Sequence, residues 1–209
     1  MSDFLPLKGN FRDLIVYQKA ECIYDITYHF AHRFLAVNDR TIDQMIQAAR
    51  SGKQNIAEGS ASSTTSRESE LKLLNVAKAS FKELMLDYED YLRVRNLDRW
   101  SPESEKAQQT RTICSTHNDS AFYRQAIPSR SDETIANIAL ILIHQVDYLL
   151  YRLIEKRKEE FIAKGGVREE LYRARKTKSN SYPHRSHRSH RPYSSFFIQF
   201  FSRKIWLIL

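Results

Sequence analysis

Four basic residues, Arg40, Arg50, Lys53 and Arg67, fall on or beside one stretch, residues 44–60 (QMIQAARSGKQNIAEGS). Cationic side chains gathered around a helix and its loop can hold a phosphate backbone, adding affinity without sequence readout and with strong salt dependence. The plainer reading is a solvated helix face with i,i+4 partners, or with Asp87, Glu89 and Asp90 of a later helix as counter-charges for Arg50 or Lys53. A second small cluster, Arg93, Arg95 and Arg99, has Tyr91 and Trp100 nearby, which could stack bases. Surface and core roles account for those residues more simply.

Other candidates for chemistry are sparse. Asn55 and Glu58 stand one helical turn apart beside an apolar stripe, where a polar pair hydrogen-bonds across helices and fixes their register. A catalytic carboxylate would need a partner and a cleft, which the sequence does not show. His29 and His32 have metal-ligand spacing and His144 stands alone, but no Glu-x-x-His pair recurs on other helices as a di-metal bundle requires. No metal and no cofactor are therefore expected. Arg111 and His117 have the Arg-x4–6-His spacing of helical-bundle ribonucleases, a pattern that also arises by chance. There is no phosphate loop and no nucleophile elbow, and Cys22 and Cys114 form neither a metal pair nor a disulfide framework. The expectation is a protein that is not an enzyme.

The elements that must position these residues are helical. Met45, Ala49, Gly52 and Ile56 recur at helical spacing, Ile42 and Ile46 widen the stripe, and Gly59 stands where a left-handed residue could close the helix. An earlier helix over residues 11–34 keeps the same rhythm, and Asp39 or Thr41 can cap the second. Thr65 and Glu68 have capping-box spacing before a long helix that ends near Arg95. Residues 96–130 break the rhythm and read as an insertion, with a short helix around 104–113, that is either functional or poorly ordered. Ser131 or Asp132 caps a fourth helix, Gly165-Gly166 stops it, and residues 167–176 form one short terminal helix. The fold expected is all-α: an antiparallel four-helix bundle over residues 11–162 with the insertion at 96–130. An N-terminal arm (1–10), a suffix helix (163–177) and a tail (178–209) flank it.

The 209 residues carry a net charge of +8. The tail holds six basic residues and no acidic one, and without it 27 basic face 25 acidic residues. A nucleic-acid site must then be a local patch, not a global field. Three His-Arg triplets from His184 to Arg191 predict a disordered, low-complexity tail outside the fold. Its apolar end is interrupted by Arg203-Lys204, so no membrane span is expected, and with no signal peptide recognised the expected compartment is the cytoplasm.

Three segments, FRDLIVYQKAECIYDITYHF, DQMIQAARSGKQNIAEGSASS and ELKLLNVAKASFKELMLDYEDYLR, resemble the bacterial four-helix-bundle proteins. That superfamily includes the ribosomal RNA intervening-sequence protein and the accessory variability determinant of diversity-generating retroelements. The signature Asn55-Ile56-Ala57-Glu58-Gly59 and the run Phe11-Arg12-Asp13-Leu14 carry the resemblance most specifically. LIHQVDYLLYRLIEK and FIAKGGVREELYRARK are similar to a longer subgroup with a suffix after the bundle. The resemblance implies homo-oligomerisation and a basic surface for nucleic acid and a reverse transcriptase. The functional expectation is a binding or scaffold module, contacting RNA or DNA or a nucleic-acid-processing protein through a basic patch. The alternatives are a purely protein-interaction bundle and a helical-bundle ribonuclease.

Overall fold

The structure, a computed structural model, describes residues 10–180. It is all-α, with no strand among the described residues. A 3-10 turn (Phe11–Asp13) precedes α1 (Ile15–Phe34), α2 (Thr41–Ser62), α3 (Arg67–Val94), α4 (Glu105–Thr116), α5 (Ser120–Ala126), α6 (Asp132–Lys164) and α7 (Val167–Asn180). The expectations for residues 1–9 and for the tail from residue 181 lie outside the described residues, and α7 continues to Asn180, three residues past the expected end of the suffix.

The long helices pack in a ring, α2 along α3, α3 on α6, α6 on α1 and α1 on α2. Their apolar stripes meet in one core that includes Ile23, Ile26, Phe30, Met45, Ile56, Phe81, Leu84, Tyr88, Ile135 and Leu142, all buried. Phe30 sits at its aromatic centre, 5.0 Å from the Tyr88 ring and 4.7 Å from that of Tyr91. The buried Tyr88 hydroxyl donates to Thr27 Oγ1 at 3.0 Å, which removes the cost of a lone polar atom there. The stretch Asp132–Thr177 contains a segment long and apolar enough to cross a membrane, with mean hydropathy 1.3, but half of it is buried inside the molecule, as in a core helix.

Helix ends follow local chemistry, and two differ from expectation. Gly59 does not close α2. The helix runs on to Ser62, Ser63 N–H bonds the Gly59 carbonyl at 3.1 Å, and Gly59 is buried against the Glu70 backbone, Leu73 and Leu74. The cap of α3 is Ser66, whose Oγ accepts from Ser69 N–H at 3.1 Å; Thr65 instead donates its hydroxyl back to the Ser62 carbonyl. Asp39 Oδ1 does serve the start of α2, accepting from Thr41 N–H at 2.9 Å. Helix α3 ends in a left-handed residue, Asn96 (φ 53°), with Leu97 N–H on the Leu92 carbonyl and Asn96 N–H on that of Arg93. These are the two bonds of a Schellman motif, and asparagine tolerates the conformation better than most side chains. Gly165 (φ 74°) ends α6 as anticipated.

The insertion is ordered and holds two helices, where one was expected. Ser104 caps α4, and Asp119, the middle residue of an Asn-Asp-Ser triplet, caps α5 by accepting from Ala121 N–H at 3.0 Å. Core helices supply the polar groups that dock it. Asn137 of α6 accepts from Trp100 N–H and donates to the Asp98 carbonyl, both at 2.8 Å. Gln145 of α6 donates to the Arg111 carbonyl at 3.1 Å, and Lys19 of α1 donates to that of Cys114. The last carbonyls of a helix lack internal partners and carry partial negative charge, so a lysine there is satisfied even when buried.

The two glycines of α2 should answer to alanine with opposite signs. A Cβ at Gly52 would lie 2.6 Å from the buried Phe81 ring, whereas one at Gly59 would meet its neighbours at 3.5 Å, ordinary contact distance. Gly52→Ala is expected to destabilise by about 1–3 kcal/mol through overpacking, exceeding the ~1 kcal/mol that alanine gains in helix propensity. Gly59→Ala is expected to stabilise by up to ~1 kcal/mol. Urea denaturation midpoints of the two variants check both signs.

Candidate functional site

The four basic residues singled out from the sequence do not converge. Arg40 is the exposed residue before α2, Arg50 is exposed on its middle, and Arg67 opens α3 beyond its far end. At ~1.5 Å rise per residue a helix of this length spans roughly 33 Å, so Arg40 and Arg67 stand at opposite ends. Arg67 is also engaged. It pairs with Glu170 of α7 at 2.6 Å and donates to the Gly165 carbonyl, holding the suffix to the start of α3. The expected counter-charges for Arg50 and Lys53 are engaged elsewhere: Glu89 pairs with Arg99 at 2.9 Å and Asp90 with Arg93 at 2.7 Å. Asp87 lines a groove with Asp43 and Glu83, and burial, with Asp90 and Glu83, pushes its carboxyl upward.

The signature Asn55 to Gly59 is a packing seam. Asn55 donates to the Ser51 carbonyl at 2.8 Å and to Ser51 Oγ at 3.2 Å, and Ser51 Oγ bonds Ser80 Oγ of α3 at 2.9 Å. Ile56 and Gly59 are buried, Ala57 is half-buried and Glu58 is exposed. The second cluster is likewise structural. Tyr91 is buried and donates to Asp132 at 2.9 Å, with Arg95 stacked 3.9 Å from its ring centre. Arg111 donates to the Pro102 carbonyl at 3.2 Å, and His117 stacks on Phe122 at 3.9 Å. The ribonuclease pair therefore has separate partners.

Lys53 is the one member of the first set that joins a site. Its Nζ lies 4.3 Å from the centre of the Tyr24 ring on α1. Tyr24, Tyr28 and His32 recur every four residues and form a ladder along one face of α1. Tyr24 and Tyr28 are 6.4 Å apart between ring centres, Tyr28 and His32 4.3 Å, and Tyr28 is half exposed. Asp25, His29 and Arg33 form the neighbouring row. Tyr123 and Arg124 of α5, with Ile127 and Pro128 after it, build the opposite wall of a cleft of ≈ 670 Å³.

The electrostatics of this cleft are positive on balance. Arg124 pairs with Asp25 at 3.0 Å and donates to Ser120 Oγ, which itself bonds Asp25, so that carboxylate is neutralised within the wall. Arg33 is exposed and makes no ion pair among the described residues. Burial, reinforced by Arg33, holds His29 below the ordinary imidazole range, and its Nε2 is buried without a protein hydrogen-bond partner. His32 Nδ1 lies 2.8 Å from the Tyr28 carbonyl. The two histidines thus sit in different surroundings, and no group of three or more potential metal-ligating side chains occurs among the described residues. What the cleft offers is flat aromatic faces beside fixed cations, a surface for planar, anionic ligands.

Searches against family models, curated proteins and solved structures find no match to the chain, so the reading of this site rests on its own geometry. Its signal in the sequence was the Tyr24–Tyr28–His32 spacing. The other wall depends on α5, a helix of seven residues. Arg67, reassigned from ligand contact to anchoring, gives a check: Arg67→Ala should leave the helical content nearly intact while speeding amide exchange across α7 at least severalfold. Unchanged exchange there would remove the anchoring role.

Proposed function

We propose that this protein is a non-enzymatic binding module for single-stranded nucleic acid, with the Tyr24–Tyr28–His32 ladder and its flanking cations as the contact surface. The observation that carries this reading is the aromatic ladder lying between Lys53 and Arg33 on a body of low net charge. Stacking on such rings is worth ~1–3 kcal/mol per base and tolerates any sequence, while the cations follow the backbone. This keeps Lys53 from the basic patch expected of the sequence and replaces Arg40, Arg50 and Arg67 with Arg33.

In the same reading α1, α2, α3 and α6 form the antiparallel four-helix bundle of the intervening-sequence and retroelement-accessory proteins, with α4–α5 as an insertion and α7 as the suffix. The ring of packing and the short α1–α2 and α2–α3 connections support it, since short links favour antiparallel neighbours. A reverse transcriptase or a second copy of the chain is the protein partner this reading brings with it. A bundle that contacts protein alone is the rival.

Fluorescence anisotropy with labelled oligo-U decides between them. Binding is expected to weaken steeply between 50 and 200 mM salt, with a logarithmic slope of about −0.7 per phosphate neutralised. Tyr28→Ala should weaken it by about tenfold, in line with the loss of one stacked base. The pair Arg33→Glu with Lys53→Glu should abolish it, and Arg40→Glu should leave it nearly unchanged. No binding at low salt would refute the nucleic-acid reading and favour the protein-only bundle.

A further inference from the structure

A second cavity, of ≈ 690 Å³, lies where α4 docks on α1 and α6, and it shares no residue with the aromatic cleft. Ile15, Ile141, Tyr148 and Leu149 give it apolar walls, and Ile15 and Tyr148 are each more than half exposed there. A volume of this order is that of a small-molecule site. Lys19 and Arg111 also line it, and no carboxylate does.

Lys19 is buried, and a buried ammonium is costly unless something answers it, while Arg111 stands exposed at the edge of the groove. Neither Lys19 nor Arg111 forms an ion pair among the described residues, and each meets only a main-chain carbonyl, of Cys114 and Pro102 respectively. The C-terminus of α4 offers Lys19 about half a charge, which leaves the groove with most of its positive charge uncompensated. Glu103 feels the field of Arg111, but it lies outside the groove and is bonded to Ser101. His144 in the wall is held below the ordinary imidazole range by burial and Arg99. Gln145 gives its amide N–H to the Arg111 carbonyl while its Oε1 is buried without a protein donor.

We propose that this groove binds an apolar-tailed monocarboxylate, its chain along Ile15, Ile141, Tyr148 and Leu149 and its carboxylate between Lys19 and Arg111. The assignment does not rest on the nucleic-acid reading and stands or falls apart from it.

Isothermal titration of the full chain with decanoate tests it, with decan-1-ol and decyltrimethylammonium as probes of equal chain length. The acid is expected to bind saturably at one site, at least tenfold tighter than the alcohol and more so than the cation. Arg111→Gln removes the charge at an exposed side chain, and Leu149→Trp fills the groove. Each variant should weaken the acid by tenfold or more while circular dichroism shows unchanged helix. Lys19→Gln is the less informative variant because it also unties α4. Equal binding of anion and cation, binding unaffected by both variants, or none at millimolar concentration would overturn the assignment.

Discussion

The Phe81 ring lies across Gly52, and the closeness of α2 and α3 that this permits governs the rest of the molecule. Ala48, Ala49 and Gly52 are buried on the same side of α2, and Gly59 continues the bare surface toward the helix end. Small residues let the two backbones approach, so a large ring can fill the space that their own side chains leave. The Ser51–Ser80 bond, steadied by Asn55, then fixes how far one helix can slide along the other. With that pair set, α1 and α6 have one way to cover the apolar side, and Phe30 enters the gap beside Tyr88 and Tyr91. The same packing of α1 on α2 brings Lys53 over Tyr24, so the position of this cation follows from the core.

Docking of the insertion sets the second constraint. A segment laid over a core must answer its own backbone groups, and here the core helices supply the partners: Lys19, Asn137 and Gln145. Burying Lys19 pulls its ammonium below the usual lysine range, chiefly through desolvation, and the carbonyls at the end of α4 offset part of that cost. Cys22 and Cys114 lie beside it, and burial pushes both thiols upward, Cys22 to about 12, so neither is an activated nucleophile. The cavities arise as a consequence. Helices α4 and α5 are too short to cover α1 and α6 completely, and they leave the aromatic cleft on one flank and the apolar groove on the other.

The long helices were legible because each buries a continuous stripe, a pattern of period 3.6 that survives in any environment. Their ends were less so, since caps are decided by which of several adjacent hydroxyls has the right backbone: Ser66, extended at φ −152°, could accept where Thr65 could not. Gly59 misled for a related reason. A glycine near a helix end reads as a stop, but inside a tight helix pair it is a place where another backbone comes close. Helix α5 was missed because seven residues do not establish a period. The basic residues near α2 were neighbours only in sequence, and the cleft that does form needs α5 against α1, a contact spanning about a hundred residues that no local pattern encodes.

Charge in this protein is therefore informative by pairing more than by sum. Arg67, Arg93, Arg99, Arg124 and Arg157 have carboxylate partners, and Arg157 with the buried Glu70 ties α6 to the start of α3 at 2.8 Å. Such cations hold elements together, and their fields are largely cancelled beyond their partners. Arg33 and Lys53 are placed against aromatic rings instead, and Lys19 and Arg111 against main-chain carbonyls. Neither a ring quadrupole nor a carbonyl dipole cancels a full charge at longer range, so the field persists at the cleft and the groove. A nearly neutral body can in this way carry two locally positive surfaces, one with aromatic faces and one with apolar walls. The difference between their walls is what sets the two proposed ligand classes apart.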